Sequence, residues 1–577
     1  MSENIVLNSG VLAAALAFGW FAPGPTRALG RLGRRIAAGL LRRSWVAMLG
    51  VAVLPLLVRA LLLPVLPIPV PRIHDEFSYL LAGDTFAHGR VTNPTHPLWP
   101  FFETFHVLAE PSYMSKYPPA QGLFLAIGQV LFGHPWWGVF LSIGVMCGAV
   151  CWMLEAWVPR SWAGIGGVAI ALQFGITDYW MNSYWGGAPG AIGGCLLLGA
   201  AGRLFGFRAG QRPRPVLPRP VLHGALLALG VAVLLNSRPW EGMSILLPVA
   251  VGYLWWLRKN RRAAALRSVA ACSLVMAATA WCMLYYAWRI TGNPFELPYV
   301  AVHKTYSVVP LFLWQKPTPA PHYHHAVMRR FYTEWETHYQ SVDQFHTWRG
   351  WRQIEKTRLR MTKNVLFSNG SLLLCALFLG FLLRRPGARF LLIALAVFVI
   401  GLALEGWAQI HYFGPVIGAA AALKMLSLRR LAAVRFGGRR LGLAVATGLL
   451  VCGGIQLLRH LNFKPSPETF PLERARVEHT LEAQPGKHVI LVRYSADHNP
   501  IEEWVYNHAD IDASRVVWAR DMSADEDEKL FEYFKGRHFW LLEPDAMPLR
   551  LSPLETTPAI EGRAILSKAI RLTPQRD

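Results

Sequence analysis

Apolar residues along this chain gather into blocks of about 17–22, separated by shorter polar stretches. The blocks lie near 5–22, 45–66, 136–157, 161–177, 186–207, 221–236, 240–257, 268–289, 365–383, 389–406, 411–427 and 441–458. About 20 apolar residues in an α-helix cross the ~30 Å hydrocarbon layer of a bilayer. Backbone polar groups in lipid must be satisfied within the segment, which the helix does. The pattern therefore predicts a polytopic α-helical membrane protein with about 11 to 13 transmembrane helices. Trp stands at many block ends (Trp20, Trp45, Trp136, Trp137, Trp240, Trp407), where an interfacial aromatic belt is expected.

The pattern changes near residue 459. The stretches 487–494, 515–521 and 538–546 read as strands, 500–508 as a helix, and 523–536 as a helix with Ser523 as its N-cap and acids in its first turn. Strand–helix–strand–helix–strand at this spacing predicts a small C-terminal α/β soluble domain with parallel strands. No Gly-rich loop follows the first strand, so neither a dinucleotide nor a P-loop site is indicated. Three parts follow: an N-terminal span and basic loop (1–43), a transmembrane domain (44–458) with long polar loops at 68–135 and 290–364, and the α/β domain (459–577).

Net charge of +23 would suit a nucleic-acid partner, but its location argues otherwise. The segments 23–43, 208–219, 258–267, 384–389 and 424–440 hold 24 of the 58 Lys and Arg residues and no Asp or Glu. Short basic loops between spans mark the cytoplasmic face. With these inside, both long loops and the C-terminal domain fall outside, in an inner (plasma) membrane protein whose first span runs N-out. The apolar piece 119–133, broken by Gly122, Gly128 and Gly133, must then lie on the membrane or re-enter it, because a full crossing would put 208–219 outside. All seven cysteines fall within apolar blocks, so no disulfide framework or zinc site is indicated.

Candidate chemistry collects on the outer side. Asp75 and Glu76 open the first long loop, where carboxylates bind a cation or serve as a general base; helix capping is the structural alternative. They would point about 100° apart on a helix, so one of the two faces a given site. Lys116 and Tyr117 precede Pro118-Pro119, and the Lys stands at headgroup level, either gripping a phosphate or snorkelling. Arg238 and Glu241 flank a tight turn between spans, where they pair with each other or face a polar cavity. Glu405, Gln409, His411 and Tyr412 form another polar patch at a turn. Asp178–Gly187 is an aromatic and polar loop that suits sugar stacking or the aromatic belt, and His322, His324 and His325 lie close together without an acid nearby in sequence. Residues 326–364 read as an amphipathic helical roof.

The acidic pair after an early span, the Lys-x-Pro-Pro motif at 116–119 and the many spans ahead of a soluble domain resemble the GT-C membrane glycosyltransferases. Bacterial members of the protein-mannosyltransferase and aminoarabinose-transferase superfamily are the nearest in pattern. The resemblance covers roughly 45–430 and is most specific over 74–122. It implies transfer of a sugar from a polyprenyl-phosphate donor to a protein, glycan or lipid acceptor on the outer face, with inversion. It places the catalytic acid at Asp75, with Glu76 beside it, and donor-phosphate binding at Lys116, although a Tyr here separates Lys from Pro-Pro. Arg238 and His411 are candidates for the leaving phosphate on electrostatic grounds. A divalent metal is left open by the resemblance. A transporter or lipid flippase, and a membrane scaffold without activity, are the competing readings. The absence of an internal repeat in the sequence disfavours the transporter.

Overall fold

The computed structural model describes residues 43–207, 219–340, 347–367, 369–435, 441–460 and 470–554, with isolated positions of the first apolar block. The span expected at 5–22 and most of the basic segments 23–43 and 208–219 lie outside the described residues.

The apolar blocks become helices. Five are long and apolar enough to cross a membrane: Ser44–Leu61, Trp136–Leu154, Gly187–Phe205, Arg262–Thr291 and Pro386–Ala403. Proline opens several helices (Pro119, Pro220, Pro239, Pro386), where its missing N–H costs nothing. Gly292, at φ 78°, stops the 30-residue Arg262–Thr291 helix in a left-handed turn. That helix buries only Ser268, Ala287 and Ile290, while Leu266, Leu274, Trp281 and Trp288 face outward. An apolar surface of this length is unfavourable in water and favourable in lipid, which identifies a membrane protein.

Two blocks are less regular than the pattern predicts. The block at 365–383 is two helices, Asn369–Leu377 and Leu379–Leu383, broken at Phe378. The block at 411–427 begins as a 3-10 turn over Ile410–Val416 before the Ile417–Ala432 helix. A Cβ on Gly194 would sit 2.0 Å from the Pro415 carbonyl oxygen, so that turn is pressed backbone-to-backbone onto the Gly187–Phe205 helix. The piece 119–133 is a helix, Pro119–Phe132, and folds back on Trp136–Leu154. A Cβ on Gly128 would lie 2.1 Å from the Gly138 nitrogen. Gly122 and Gly128 thus serve close packing, and Gly133, at φ 76°, ends the helix. Arg59, the charge inside the Ser44–Leu61 helix, is fully buried and donates to Asn182 Oδ1 (2.9 Å) and to the carbonyls of Leu66 and Pro67.

The long loop 68–135 contains the His74–Ala87 helix and a small antiparallel sheet of β1 (Asn93–Pro94), β2 (Val107–Leu108) and β3 (Ser112–Ser115), in the order β1-β3-β2. Beyond it, Ala326–Arg330, Phe331–Trp335 and Glu336–Gln340 form a helical run with one π turn, and Trp348–Leu366 is helical with Thr347 as its N-cap.

The C-terminal segment forms a four-stranded sheet from β4 (His488–Val492), β5 (Val516–Arg520), β6 (His538–Glu543) and β7 (Arg550–Leu554), in the order β5-β4-β6-β7. β4 is parallel to β5 and β6, as the pattern predicts. The Ala524–Tyr533 helix starts at Ser523, whose Oγ accepts from the Glu526 amide. Three features differ from expectation. β7 adds an antiparallel edge containing Pro553, a position open to proline because it is an edge. A helix over Phe470–Glu482 precedes the sheet. The stretch 500–508 is not helical. Arg474 donates to the carbonyls of Trp504 and Tyr506, and the Asn507 amide exchanges hydrogen bonds with the Trp518 backbone. Side chains thus satisfy the extended backbone that a helix would otherwise have to satisfy itself.

This sheet does not stand apart. Val489, Leu491, Val517 and Leu541 share one core with Leu81, Phe101, Phe102 and Tyr113 of the long loop. On the opposite face Ile490, Val492, Trp518 and Trp540 pack with Phe77, Phe470 and Val477. A parallel sheet needs both faces covered, and here the loop supplies part of each cover. Arg520 reinforces the joint, donating to the Glu103 carbonyl (2.8 Å) and to the Glu503 carboxylate (2.9 Å).

Candidate functional site

The prolines at 67, 69 and 71 hold the chain extended, and the His74–Ala87 helix begins directly after it, with Ile73 at φ −146°, ψ 155° as its N-cap. Asp75 and Glu76 occupy the first turn and diverge, as helix geometry requires. Glu76 turns inward, 4% exposed, and accepts from the Tyr184 amide at 3.0 Å. It ties this helix to the aromatic loop after residue 178. Burial raises its pKa to about 7.

Asp75 turns the other way, its side chain 25% exposed. Its Oδ2 is 2.8 Å from His74 Nδ1 and 4.0 Å from His106 Nε2, and its Oδ1 accepts from the Tyr117 hydroxyl. Burial alone would raise its pKa, but His74, His106 and the Lys116 charge hold it well below the usual carboxylate range. Lys116 Nζ lies 2.6 Å from His106 Nδ1. Burial and the facing Lys116 charge push His106 well below its ordinary pKa, so the ring is neutral. An ammonium donating to Nδ1 leaves the ring proton on Nε2, the nitrogen facing Asp75.

His106 is the one non-glycine residue with positive φ, 62°, among the described residues. The conformation is held by its own carbonyl, which accepts from Ser78 Oγ (2.7 Å) and the Lys116 amide (3.1 Å). Lys116 is also 4.9 Å from the Tyr299 ring and 5.2 Å from the Tyr117 ring. Burial lowers its pKa to about 8, against the pull of Asp75 and Glu336. Glu336 accepts from Ser307 Oγ (2.7 Å), and burial raises it to about 7.

A second charged group lies beyond a tyrosine layer. Tyr79 stacks on Tyr117 at 4.2 Å. Tyr79 feels the charges of Arg238, Asp75 and Glu241, and Tyr299 those of Glu405, Glu336, Arg238 and Asp75. Arg238 is 3.9 Å from Glu241, and its guanidinium lies 4.2 Å over the Tyr412 ring. His411 Nδ1 is 3.0 Å from the Tyr179 hydroxyl. Glu241 Oε1 and Glu405 Oε2 are buried without a hydrogen-bond partner among the described residues.

The structure therefore gathers Asp75, Lys116 and Tyr117 directly, and sets Arg238, Glu241, His411 and Tyr412 across the tyrosine layer. Glu76 faces away from both. Sequence reasoning missed His106, Tyr299 and Glu336. His74 stood beside Asp75 but carried no separate signal, and nothing local marks His106. The histidines at 324 and 325 do meet an acid, Glu103, at 3.2 and 3.5 Å, which is distant in sequence.

His74, Asp75 and His106 place one ligand atom each within 4.8 Å of one another, the one such group among the described residues. Two imidazoles and a carboxylate would suit a transition-metal dication, but with Nδ1 accepting from Lys116 and the proton on Nε2 the His106 ring has no free lone pair, so the group as arranged does not fit an ion.

Together the fold and the site define a membrane protein with a charged site at one end of its helices, built by the first long loop with Tyr299, Glu336, Arg238 and Tyr412 beside it. No family model matches the chain, and no curated protein does. Solved structures do show similarity. The Archaeoglobus fulgidus oligosaccharyltransferase in its apo form is 12% identical, with 86% of this chain and 69% of that chain covered and a TM-score of 0.48. ArnT from Cupriavidus metallidurans bound to undecaprenyl phosphate is 13% identical, with 86% and 92% covered and a TM-score of 0.45. The chemistry of the site must come from the residues of this chain.

Proposed function

We propose that the protein transfers a sugar from a polyprenyl-phosphate donor to an acceptor on the extracytoplasmic face of a bacterial-type inner membrane, through about 11 to 13 spans. The observation that carries this reading is Asp75: a partly exposed carboxylate kept ionised beside an ammonium, at the end of the helices away from the basic loops. In the reaction the acceptor oxygen attacks the anomeric carbon as the bond from that carbon to the phosphate oxygen breaks. Asp75 orients the acceptor hydroxyl and takes its proton. Lys116 and Arg238 neutralise the departing polyprenyl phosphate, one as a point charge and one as a fork. Tyr79, Tyr117, Tyr299 and Tyr412 offer ring faces between them. His106 keeps Lys116 and Asp75 apart, so the ammonium stays free for the phosphate. Glu76 positions the helix that carries Asp75. A transporter has less support: Asp75, Lys116, Arg238 and Glu241 stand at helix ends and not within a span, and Arg59 inside a span is fully paired.

The test is transfer from a radiolabelled polyprenyl-phosphate sugar into an envelope extract by purified protein. The expected result is label in acceptor with wild type and none with Asp75→Asn. Equal transfer by the two proteins would remove Asp75 from the reaction, and no transfer by wild type with any such donor would remove the reading.

A further inference from the structure

A cavity of about 510 Å³ opens where β4 and β5 end, bounded by residues 492–496, 520–523 and the start of the Ala326–Arg330 helix. In open α/β sheets the crevice outside the carboxyl ends of parallel strands is where ligands settle, and this volume is that of a small-molecule site. Three guanidiniums, those of Arg330, Arg493 and Arg520, line it against the single carboxylate of Asp521. Asp521 is already committed, bound through both oxygens by Arg493 at 2.6 and 3.1 Å.

Two buried groups there lack partners. Arg520 is 3% exposed and uses Nε and Nη2 on Glu103 and Glu503, while Nη1 has no hydrogen-bond partner among the described residues. His498 is 2% exposed, its Nδ1 is 2.7 Å from Asp545 Oδ1, and its Nε2 has no partner among the described residues. A buried guanidinium N–H without an acceptor is unfavourable, and an oxyanion resolves it. With Nδ1–H donating to Asp545, Nε2 of the neutral ring is an acceptor and suits a ligand hydroxyl. The cavity thus offers anion donors and a hydroxyl acceptor together.

We infer that this cavity binds an anionic saccharide, a sugar acid or sugar phosphate, with its charged group on Arg520 Nη1 and Arg330 and a hydroxyl on His498 Nε2. The site is separate from Asp75: the layer of Phe331 and Tyr332 stands between, with Phe331 packed on His74 at 4.9 Å. Binding therefore needs no transfer to be observed.

The test is thermal unfolding of the detergent-purified full chain with glucose 6-phosphate, glucuronate or glucose. Both anionic sugars should raise the melting temperature in a saturable way, and glucose should not. Arg330 is half-buried and donates to the Ala496 carbonyl, an exposed contact, so Arg330→Gln should keep the fold and weaken binding about tenfold, the loss of one charge-assisted contact. Lys116→Gln should leave binding unchanged. A stronger response to glucose 6-phosphate assigns a phosphate, and a stronger response to glucuronate a carboxylate; either supports the site. An equal response to glucose, no response to either anion, wild-type binding by Arg330→Gln, or loss of binding in Lys116→Gln would each overturn it.

Discussion

Lys116 donates to His106 across 2.6 Å, and the far nitrogen of the same imidazole faces Asp75 at 4.0 Å. The cation and the carboxylate of the site are thus separated by one neutral ring. Had they met directly, each would have spent its charge on the other. The ring keeps the two charges from pairing with each other.

Asp75→Asn should fold normally and lose transfer by at least about a hundredfold, the usual worth of a general base. The side chain is similar in size and still accepts from Tyr117. Initial rates of sugar transfer at matched melting temperature check this.

The charge on Lys116 sets an alkaline limit. Its pKa is lowered to about 8 by burial, so the ammonium is present below that pH and is lost as pH rises through it. Rates should fall above pH 8, and Lys116→Arg should carry the fall to higher pH because guanidinium stays protonated. A pH–rate profile of both proteins decides; an unmoved limb would assign it elsewhere.

Glu76 should affect stability more than rate. Its folded pKa, about 7, lies above the ordinary carboxylate value, so the folded state binds the proton more tightly. Its contribution is full at low pH and is lost as pH rises from about 4.5 through 7. Glu76→Gln keeps an oxygen for the Tyr184 amide and should flatten this part of the melting curve against pH, with transfer close to wild type.

His106 carries both a ring and a left-handed backbone. Asn tolerates that conformation, whereas Val does not. His106→Asn should melt near wild type, and His106→Val should lose about 1–3 kcal/mol. Both should transfer more slowly, since Lys116 then closes on Asp75. Comparing unfolding with turnover separates the two roles.

Much of the architecture was legible because lipid imposes a simple rule on sequence. The blocks at 45–66, 136–157 and 186–207 became helices within a few residues, and the strands at 487–494, 515–521 and 538–546 became β4, β5 and β6. Failures came where distant side chains decide local structure. Arg474 and Asn507 hold 500–508 extended, and no window over that stretch contains Arg474. The same holds for the site. Asp75, Lys116 and Tyr117 were visible as charged or aromatic groups near the end of a span. His106 owes its place to Ser78, Lys116 and a positive φ, and Glu103 reaches His324 and His325 only through the folded loop.

Phe77 and Leu81 pack with strands made roughly 400 residues later. A ribosome adding ~5–20 residues per second completes those strands tens of seconds after the Asp75 helix emerges. Until then that helix rests on Pro119–Phe132 alone for part of its packing, and two of its apolar side chains wait for their partners. The arrangement acts as a proof of completion: the helix that carries Asp75 gains its last apolar cover only once the sheet strands have been made.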